Sequence, residues 1–252
     1  MKRLKVLISA YACEPEKGSE PEVGWNWVKH IAQFADVWVI TRTNNRKSIE
    51  KVLARESMSN VHWIYFDLPR WLCFWKKGQR GVHLYYYLWQ VGICFLVRRL
   101  HQKVGFDLIH HVTFGNYWLP SFLPLLSVPF IWGPVGGGES APKAFYAVYS
   151  TNAKFRELLR DLARFISDYN PIHRFIAKKV SVALATTEQT ADRIKKRLGI
   201  KRVYVMPQFA MSREKLIYLE EISSSTVSEK TGSVIFISVG RNLGYKGFHL
   251  GL

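Results

Sequence analysis

The chain has 252 residues, 48% of them apolar, and a formal net charge of +17. That length allows one large domain or two small ones, and that apolar share excludes intrinsic disorder. Its three cysteines, Cys13, Cys73 and Cys94, are widely spaced with no CxxC pair, which argues against a disulfide framework or a zinc site and fits a reducing cytosol.

The elements alternate along the chain. Arg3–Ser9 (RLKVLIS) reads as a buried strand; a signal peptide would need a longer apolar run and a small-residue cleavage site. Glu22–Phe34 reads as a helix, with Val23, Trp27, Ile31 and Phe34 near a 3.6 period. Asp36–Thr41 is a strand, Arg46–Glu56 a polar helix and Val61–Phe66 a third strand. Between Trp71 and Phe106 lies WLCFWKKGQRGVHLYYYLWQVGICFLVRRLHQKVGF. Trp and Tyr beside Lys and Arg suit the lipid headgroup zone, and equally a buried helix with a basic end. Its longest uncharged run, Leu84–Val97, falls short of the roughly 20 residues that cross a bilayer, so no spanning helix is expected.

Asp107–His111 and Val128–Trp132 are further strands. Residues 152–178 are expected to be helical with a break near Asn170-Pro171. Val180–Ala185 is a strand, Glu188–Leu198 a helix and Val203–Met206 a short strand. Alternation of apolar strands with helices implies an α/β fold, a Rossmann-like parallel sheet with helices on both faces. Met211–Gly232 breaks this pattern and reads as a linker, or as a peripheral helix and loop. Ser233–Val239 (SVIFISV) is a strand that opens a second Rossmann-like domain, followed by a helix start. The domains expected are therefore 1–210, a linker 211–232, and 233–252 as the opening of a unit whose remainder lies beyond this sequence.

In such sheets ligands sit at the carboxyl ends of the strands, so the loops there carry the candidates. The first is AYACEPEKGSEPEVGWNW. Gly18 and Ser19 can bring backbone amides to an anion, and the helix that follows adds a positive dipole end. Glu20, Trp25 and Asn26 can hydrogen-bond or stack on a sugar, although an acidic helix start explains Glu20 as well. It is not a dinucleotide fingerprint, since no GxGxxG occurs. The second is DLIHHVTFGNYWLPSF. Strand alternation points His110 and His111 to opposite faces, one free to enter a cleft while the other packs. Asn116, Tyr117 and Trp118 follow. The third is IWGPVGGGESAPKAF, whose consecutive glycines, Gly136 to Gly138, suit close backbone approach to a ligand or a hinge. Glu139 stands beside them as a hydrogen-bonding partner. The fourth is GRNLGYKGFHLGL, where Gly240 permits tight approach and Arg241 and Lys246 offer a fork and a point charge for a diphosphate.

These motifs resemble a retaining glycosyltransferase of the GT-B fold, of the group 1 or family 4 type. SVGRNLGYKGFHLGL is similar to the start of that family's nucleotide-sugar-binding domain. ACEPEKGSEPEVGWNW is similar to its glycine-bearing first loop, and DLIHHVTFGNYW with VPFIWGPVGGGE to the middle of its acceptor-binding domain. The resemblance implies that 1–210 is the acceptor-binding domain and that the donor is a nucleoside diphosphate sugar. It implies that Gly18, Ser19, Gly240, Arg241 and Lys246 hold the donor phosphates, with Arg241 and Lys246 stabilising the leaving diphosphate and no metal or other cofactor. Glu20, Trp25, Asn26, Asn116, Trp118, Gly137 and Glu139 would line the acceptor side. The family's T-x-H-type histidine is absent near Val135, which leaves His111 as the catalytic candidate. Its E-x7-E glutamate pair belongs to a stretch that this sequence does not include, so the chain alone is expected to be inactive.

The expected acceptor is an envelope or polysaccharide precursor, lipid-linked or free. The expected location is cytoplasmic, peripheral on the cytoplasmic face of a membrane, with anionic lipid as a further partner. A remnant that binds acceptor or membrane without turnover is the alternative. Nucleic acid is not an expected partner, because charge alone points to it and no recognition motif accompanies that charge.

Overall fold

The computed structural model describes residues 2–78, 80–208 and 213–225. They fall into two compact units, residues 2–139 with 163–208, and residues 140–162 with 213–225.

The first unit is a seven-stranded sheet. Its strands are β1 (Leu4–Ala10), β2 (Ala35–Thr41), β3 (Val61–Tyr65), β4 (Leu108–Thr113), β5 (Phe130–Val135), β6 (Val182–Ala185) and β7 (Val203–Val205). All pair in parallel, in the order β3-β2-β1-β4-β5-β6-β7. Each strand lies within a few residues of its expected bounds. The largest difference is β5, which runs on through Gly133 and Pro134 to Val135 with a register shift against β6, where the sequence suggests a loop.

Both faces of the sheet are covered, and the strands explain why. In β1, Val6, Leu7 and Ile8 are all buried, yet they serve two separate cores. Leu7 joins Ile40, Ile109 and Phe130 against α3 (Val82–Val104), whose Tyr86, Trp89, Ile93 and Val97 are fully enclosed. Val6 and Ile8 join Val37, Val39 and Val112 against α1 (Ser19–Ile31) and α2 (Arg46–Leu53). A period of two sends neighbours to opposite faces, and a continuous apolar run fills both.

Helix α1 begins earlier than the apolar period suggests. Gly18 takes the N-cap position at φ 67°, and Pro21 falls in the first turn, where its missing N–H costs nothing. The helix ends at Ile31, and Phe34 is 64% exposed rather than part of the buried stripe. In the aromatic segment the inner side of α3 is core, while Trp71 and Phe74 before it are 72% and 79% exposed. Among the described residues no helix is long and apolar enough to cross a membrane.

The expected break near Asn170-Pro171 separates α4 (Thr151–Tyr169) from α5 (Pro171–Ala177). The Asn170 side chain accepts from the N–H groups of Ile172 and His173, and Pro171 occupies the first turn, so one residue caps what another cannot continue. Next comes α6 (Glu188–Arg193), extended by a wider turn over Ile194–Leu198. In the second unit lies α7 (Arg213–Ser225), a helix inside the 211–232 segment, the rest of which lies outside the described residues. The expected strand Ser233–Val239, with Gly240, Arg241 and Lys246, lies outside the described residues.

Trp89 anchors the α3 core. It is fully buried, lies edge-on to Tyr11 at 5.2 Å, and its Nε1–H donates to the Phe66 carbonyl at 2.8 Å. Trp89→Ala is expected to destabilise by about 3–5 kcal/mol. Trp89→Phe, which keeps an aromatic ring but loses the donor and part of the buried volume, should cost less, about 1–3 kcal/mol. Urea unfolding of both variants measures the difference.

Candidate functional site

The strand order reverses direction between β1 and β4: the chain winds outward from β1 toward β3 on one side and from β4 toward β7 on the other. The loops leaving the carboxyl ends of β1 and β4 therefore part, and that opening is where a doubly wound sheet takes its ligand. Three expected loops, after β1, β4 and β5, meet there.

They are fastened by side chains. The Thr113 hydroxyl donates to the Ala12 carbonyl at 2.9 Å and accepts from the Ala12 N–H at 3.0 Å. Glu20 Oε1 accepts from two successive backbone N–H groups, Phe114 at 2.5 Å and Gly115 at 3.1 Å. Phe114 adopts φ 63°, which turns the two amides toward the same carboxylate. The β4 and β5 loops are then tied through Gly136 N–H to Gly115 O at 2.7 Å and Tyr117 N–H to Gly136 O at 3.0 Å.

Glu139 performs a similar task one strand further on. Its carboxylate accepts from Gly137 N–H at 3.0 Å, Thr187 Oγ1 at 2.6 Å and Thr190 Oγ1 at 2.9 Å. Burial works to raise its pKa, but these donors outweigh burial and hold the carboxyl below its usual range. Thr190 Oγ1 in turn accepts from Gly138 N–H at 3.1 Å. A Cβ on Gly138 would lie 2.7 Å from Thr190 Cα. Part of the glycine run thus serves close approach of the chain to itself, at the start of α6.

Gly137 faces the other way. At φ 88° it has no side chain, and a Cβ there would stand only 3.1 Å from Trp118 Nε1 and 3.2 Å from Asn116 Oδ1, so the glycine lets the indole and the carboxamide pack against the backbone. Asn116, Trp118 and Gly137, three of the expected acceptor residues, are therefore gathered in one place. His83, in the first turn of α3, joins them with its ring edge-on to Trp118 at 5.0 Å and to Phe114 at 6.0 Å. Burial lowers its pKa, so it stands neutral at neutral pH. His83 is not among the sequence candidates, because it lies in the aromatic segment far from any strand-end motif. Its place just after the loop leaving β3 is the one signal that pointed to it.

The remaining candidates are spread. Gly18 and Ser19, at φ 67° and 55°, form the start of α1, and no side chain caps that end. Trp25 is buried and stacked on Trp63 at 5.6 Å, within the core on the α1 face of the sheet. Asn26 is half-buried on the same helix.

The two histidines do point to opposite faces, but both pack against helices, and neither enters a cleft. His110 Nε2–H donates to the Gly133 carbonyl at 2.8 Å, and its ring meets Trp27 edge-on at 4.9 Å. His111 is 1% exposed, with Nδ1 3.2 Å from Ser9 Oγ and Nε2 3.0 Å from Tyr86 Oη. Burial lowers their pKa values to about 4 and about 3 respectively.

A second polar group sits at the ends of β2 and β3, unforeseen in the sequence. Arg42 Nε bonds Asp67 at 3.0 Å, the Tyr85 hydroxyl donates to the same carboxylate at 2.7 Å, and the guanidinium lies over the rings of Tyr11 and Tyr85 at 5.0 and 5.1 Å. A small apolar cavity with room for about one water lies elsewhere, lined by Phe130, Trp132, His173 and Ile176. Among the described residues no group of His, Cys, Asp and Glu side chains could hold a metal ion.

The strand order defines a doubly wound α/β protein, with the loops after β1, β4 and β5 joined at its switch point. No protein-family model matches the chain, and no curated protein matches it. Among solved structures it is similar to UGT73P12 of Glycyrrhiza uralensis, crystallised with glycyrrhetinic acid 3-O-monoglucuronide, at 14% identity and a TM-score of 0.42. That alignment covers 82% of this chain and 49% of the other, so the chain spans about half the length of the structure it matches. A likeness at that level carries no argument about what this chain does.

Two outcomes follow from the geometry. Glu20→Ala strips two half-buried amides of their acceptor and should destabilise by about 1 kcal/mol, read by chemical unfolding. His110 and His111 bind protons more weakly when folded than when unfolded. The unfolded chain therefore takes up protons first, and the stability these histidines contribute is complete above about pH 6.5 and lost as pH falls toward about 4. Melting temperature should drop between pH 6.5 and 5, above the range where carboxylates titrate, and the slope should flatten in His111→Gln.

Proposed function

We propose that residues 1–210 form the acceptor-binding domain of a retaining glycosyltransferase of the group 1 or family 4 type. It would transfer a sugar from a nucleoside diphosphate sugar to an envelope or polysaccharide acceptor. The observation that supports this reading is the gathering of Asn116 and Trp118 against Gly137 near the switch point, with His83 edge-on to Trp118. A carboxamide, an indole N–H and flat rings suit a neutral, hydroxyl-rich ligand: rings take the apolar face of a sugar and amides its hydroxyls.

Donor phosphates are assigned to the uncapped start of α1, through Gly18 and Ser19, and to Gly240, Arg241 and Lys246. Residues 211–232 serve as the linker and 233–252 as the opening of the donor domain. In transfer the acceptor hydroxyl oxygen bonds to the sugar's anomeric carbon as the bond from that carbon to the diphosphate breaks; the leaving diphosphate takes up the hydroxyl proton, and Arg241 and Lys246 would meet the charge that collects on it. No resident metal or cofactor enters this scheme. Glu20 and Glu139 act by shaping the loops, and His111 by joining β4 to β1 and α3. Trp25 and Asn26 act through the placement of α1.

Calorimetric titration of UDP and GDP into the purified chain tests the donor assignment. One nucleotide should bind one to one, weaken by about 10-fold or more in Lys246→Ala, and bind unchanged in Trp118→Ala. A folded chain that binds neither nucleotide overturns the assignment.

A further inference from the structure

Arg42 leaves the carboxyl end of β2 and spends little of itself on its partner. A guanidinium carries five N–H donors. The ion pair with Asp67 uses one of them, on Nε at 3.0 Å, and among the described residues the two Nη groups donate to nothing. Asp67 is meanwhile satisfied from three sides, by Arg42, by the Tyr85 hydroxyl at 2.7 Å and by the Thr43 N–H at 3.1 Å. The pair is complete for the carboxylate and incomplete for the cation.

The fork is also held in place. It rests over the rings of Tyr11 and Tyr85, which meet edge to face with centroids 6.4 Å apart. A fifth of the Arg42 side chain, 20%, still meets solvent, so its unpaired edge can be reached. Tyr11 is 5% exposed, and its hydroxyl is enclosed without a hydrogen-bond partner among the described residues. Burial raises its pKa against the pull of the nearby guanidinium, so it stays protonated and able to donate.

Charge and donors together select the ligand. Lys76, in the loop between β3 and α3, brings a second cation, its Nζ 5.2 Å from the Tyr85 ring centre. Arg42 and Lys76 outweigh Asp67, and every group left unsatisfied is a donor. A cation would be repelled, and a neutral hydroxyl would leave most of the fork unpaired. An oxyanion offers two oxygens to the two Nη groups at once. The rings then lead away from this group: Tyr11 meets Phe114 at 4.9 Å, Phe114 meets His83 at 6.0 Å, and His83 meets Trp118 at 5.0 Å. The cationic group and Trp118 thus stand at the two ends of one row of rings.

We infer that Arg42, Tyr11 and Lys76 form a binding site for an oxyanion, a phosphate or a carboxylate, and hence that the acceptor is acidic. The second step rests on the transfer reading above. The site itself rests only on its own geometry.

An NMR titration of the whole chain with inorganic phosphate, glucuronate and glucose tests it, read at the Arg42 Nε–H and the Thr43 amide. Phosphate or glucuronate should shift both signals saturably, and glucose should not. Tighter binding of phosphate marks a phosphorylated acceptor, and tighter binding of glucuronate a sugar acid. Arg42→Lys keeps the charge but loses the fork, and should weaken binding by about 10-fold or more, read at Thr43. Tyr11→Phe removes a hydroxyl that holds nothing in the fold, so it should weaken binding by about threefold while the melting temperature holds. Were Arg42→Lys to misfold, Tyr11→Phe decides alone. Glucose should shift the Trp118 indole N–H; its failure to do so would count against the transfer reading and leave the anion site standing. Three results would overturn the site. The first is no shift at Arg42 or Thr43 with either anion. The second is a folded Arg42→Lys variant that binds as well as the parent. The third is a Tyr11→Phe variant that binds unchanged and melts lower, which would make the hydroxyl part of the fold.

Discussion

A parallel sheet ends in backbone amides that no further strand can pair, and here two carboxylates take them up. Glu20 reaches from α1 to the turn after β4, and Glu139 reaches from the β5 loop to the start of α6. Each replaces water at several donors at once, so each fixes a loop that would otherwise be free to fray. Everything placed at the crevice hangs on these two anchors. Glu20 sets Phe114 and Gly115, and those set Asn116 and Trp118. Glu139 holds the amide of Gly137, whose bare face lies against the same pair. The crevice is shaped by bonds between elements, and its form follows from their mutual agreement rather than from any one loop.

Such agreement is poorly visible in a linear sequence, whereas the sheet is plainly visible. Runs such as KVLIS and DVWVIT are short, apolar at consecutive positions and rich in β-branched residues, a pattern that suits a strand covered on both faces, and each lies in a strand. The Asn170-Pro171 break was legible because cap and breaker are adjacent in sequence. Glu20 and Glu139 were legible as polar residues in the right loops, but their partners lie 94 and 48 residues away, and both were read as sugar contacts. The same separation hid His83, and it hid the Arg42–Asp67–Tyr85 group, assembled from the ends of two strands and a helix. For α4 the period was clear, but its phase was not. A stripe of apolar residues says that a helix has two sides and leaves open which one faces in.

The electrostatics narrow what the crevice can offer. Histidines His110 and His111 are enclosed and held neutral, Glu139 is saturated with donors, and Glu20 is occupied by amides. Charged groups near the opening are thus engaged in structure. What packs against Gly137 is a carboxamide and an indole, with a neutral imidazole edge-on to that indole. Surfaces of that kind recognise ligands by directional hydrogen bonds and ring contact, with little long-range pull. An anionic ligand would find its complement elsewhere, at the uncapped start of α1 or on basic side chains supplied by another part of the chain.

Helices α3 and α4 show how burial is decided when a helix has two plausible inward sides. In α3 the aromatic side goes in, because Trp89 and Tyr86 find hydrogen-bond partners there in the Phe66 carbonyl and the His111 ring. In α4 the polar side goes in, because Arg164 and Asp168 find partners in Glu139, Tyr117 and Arg193. Hydrophobic burial is non-directional and would accept either rotation, whereas a charge needs a partner at one place. The paired charges therefore set the phase of α4, and its apolar stripe is left outward as a consequence.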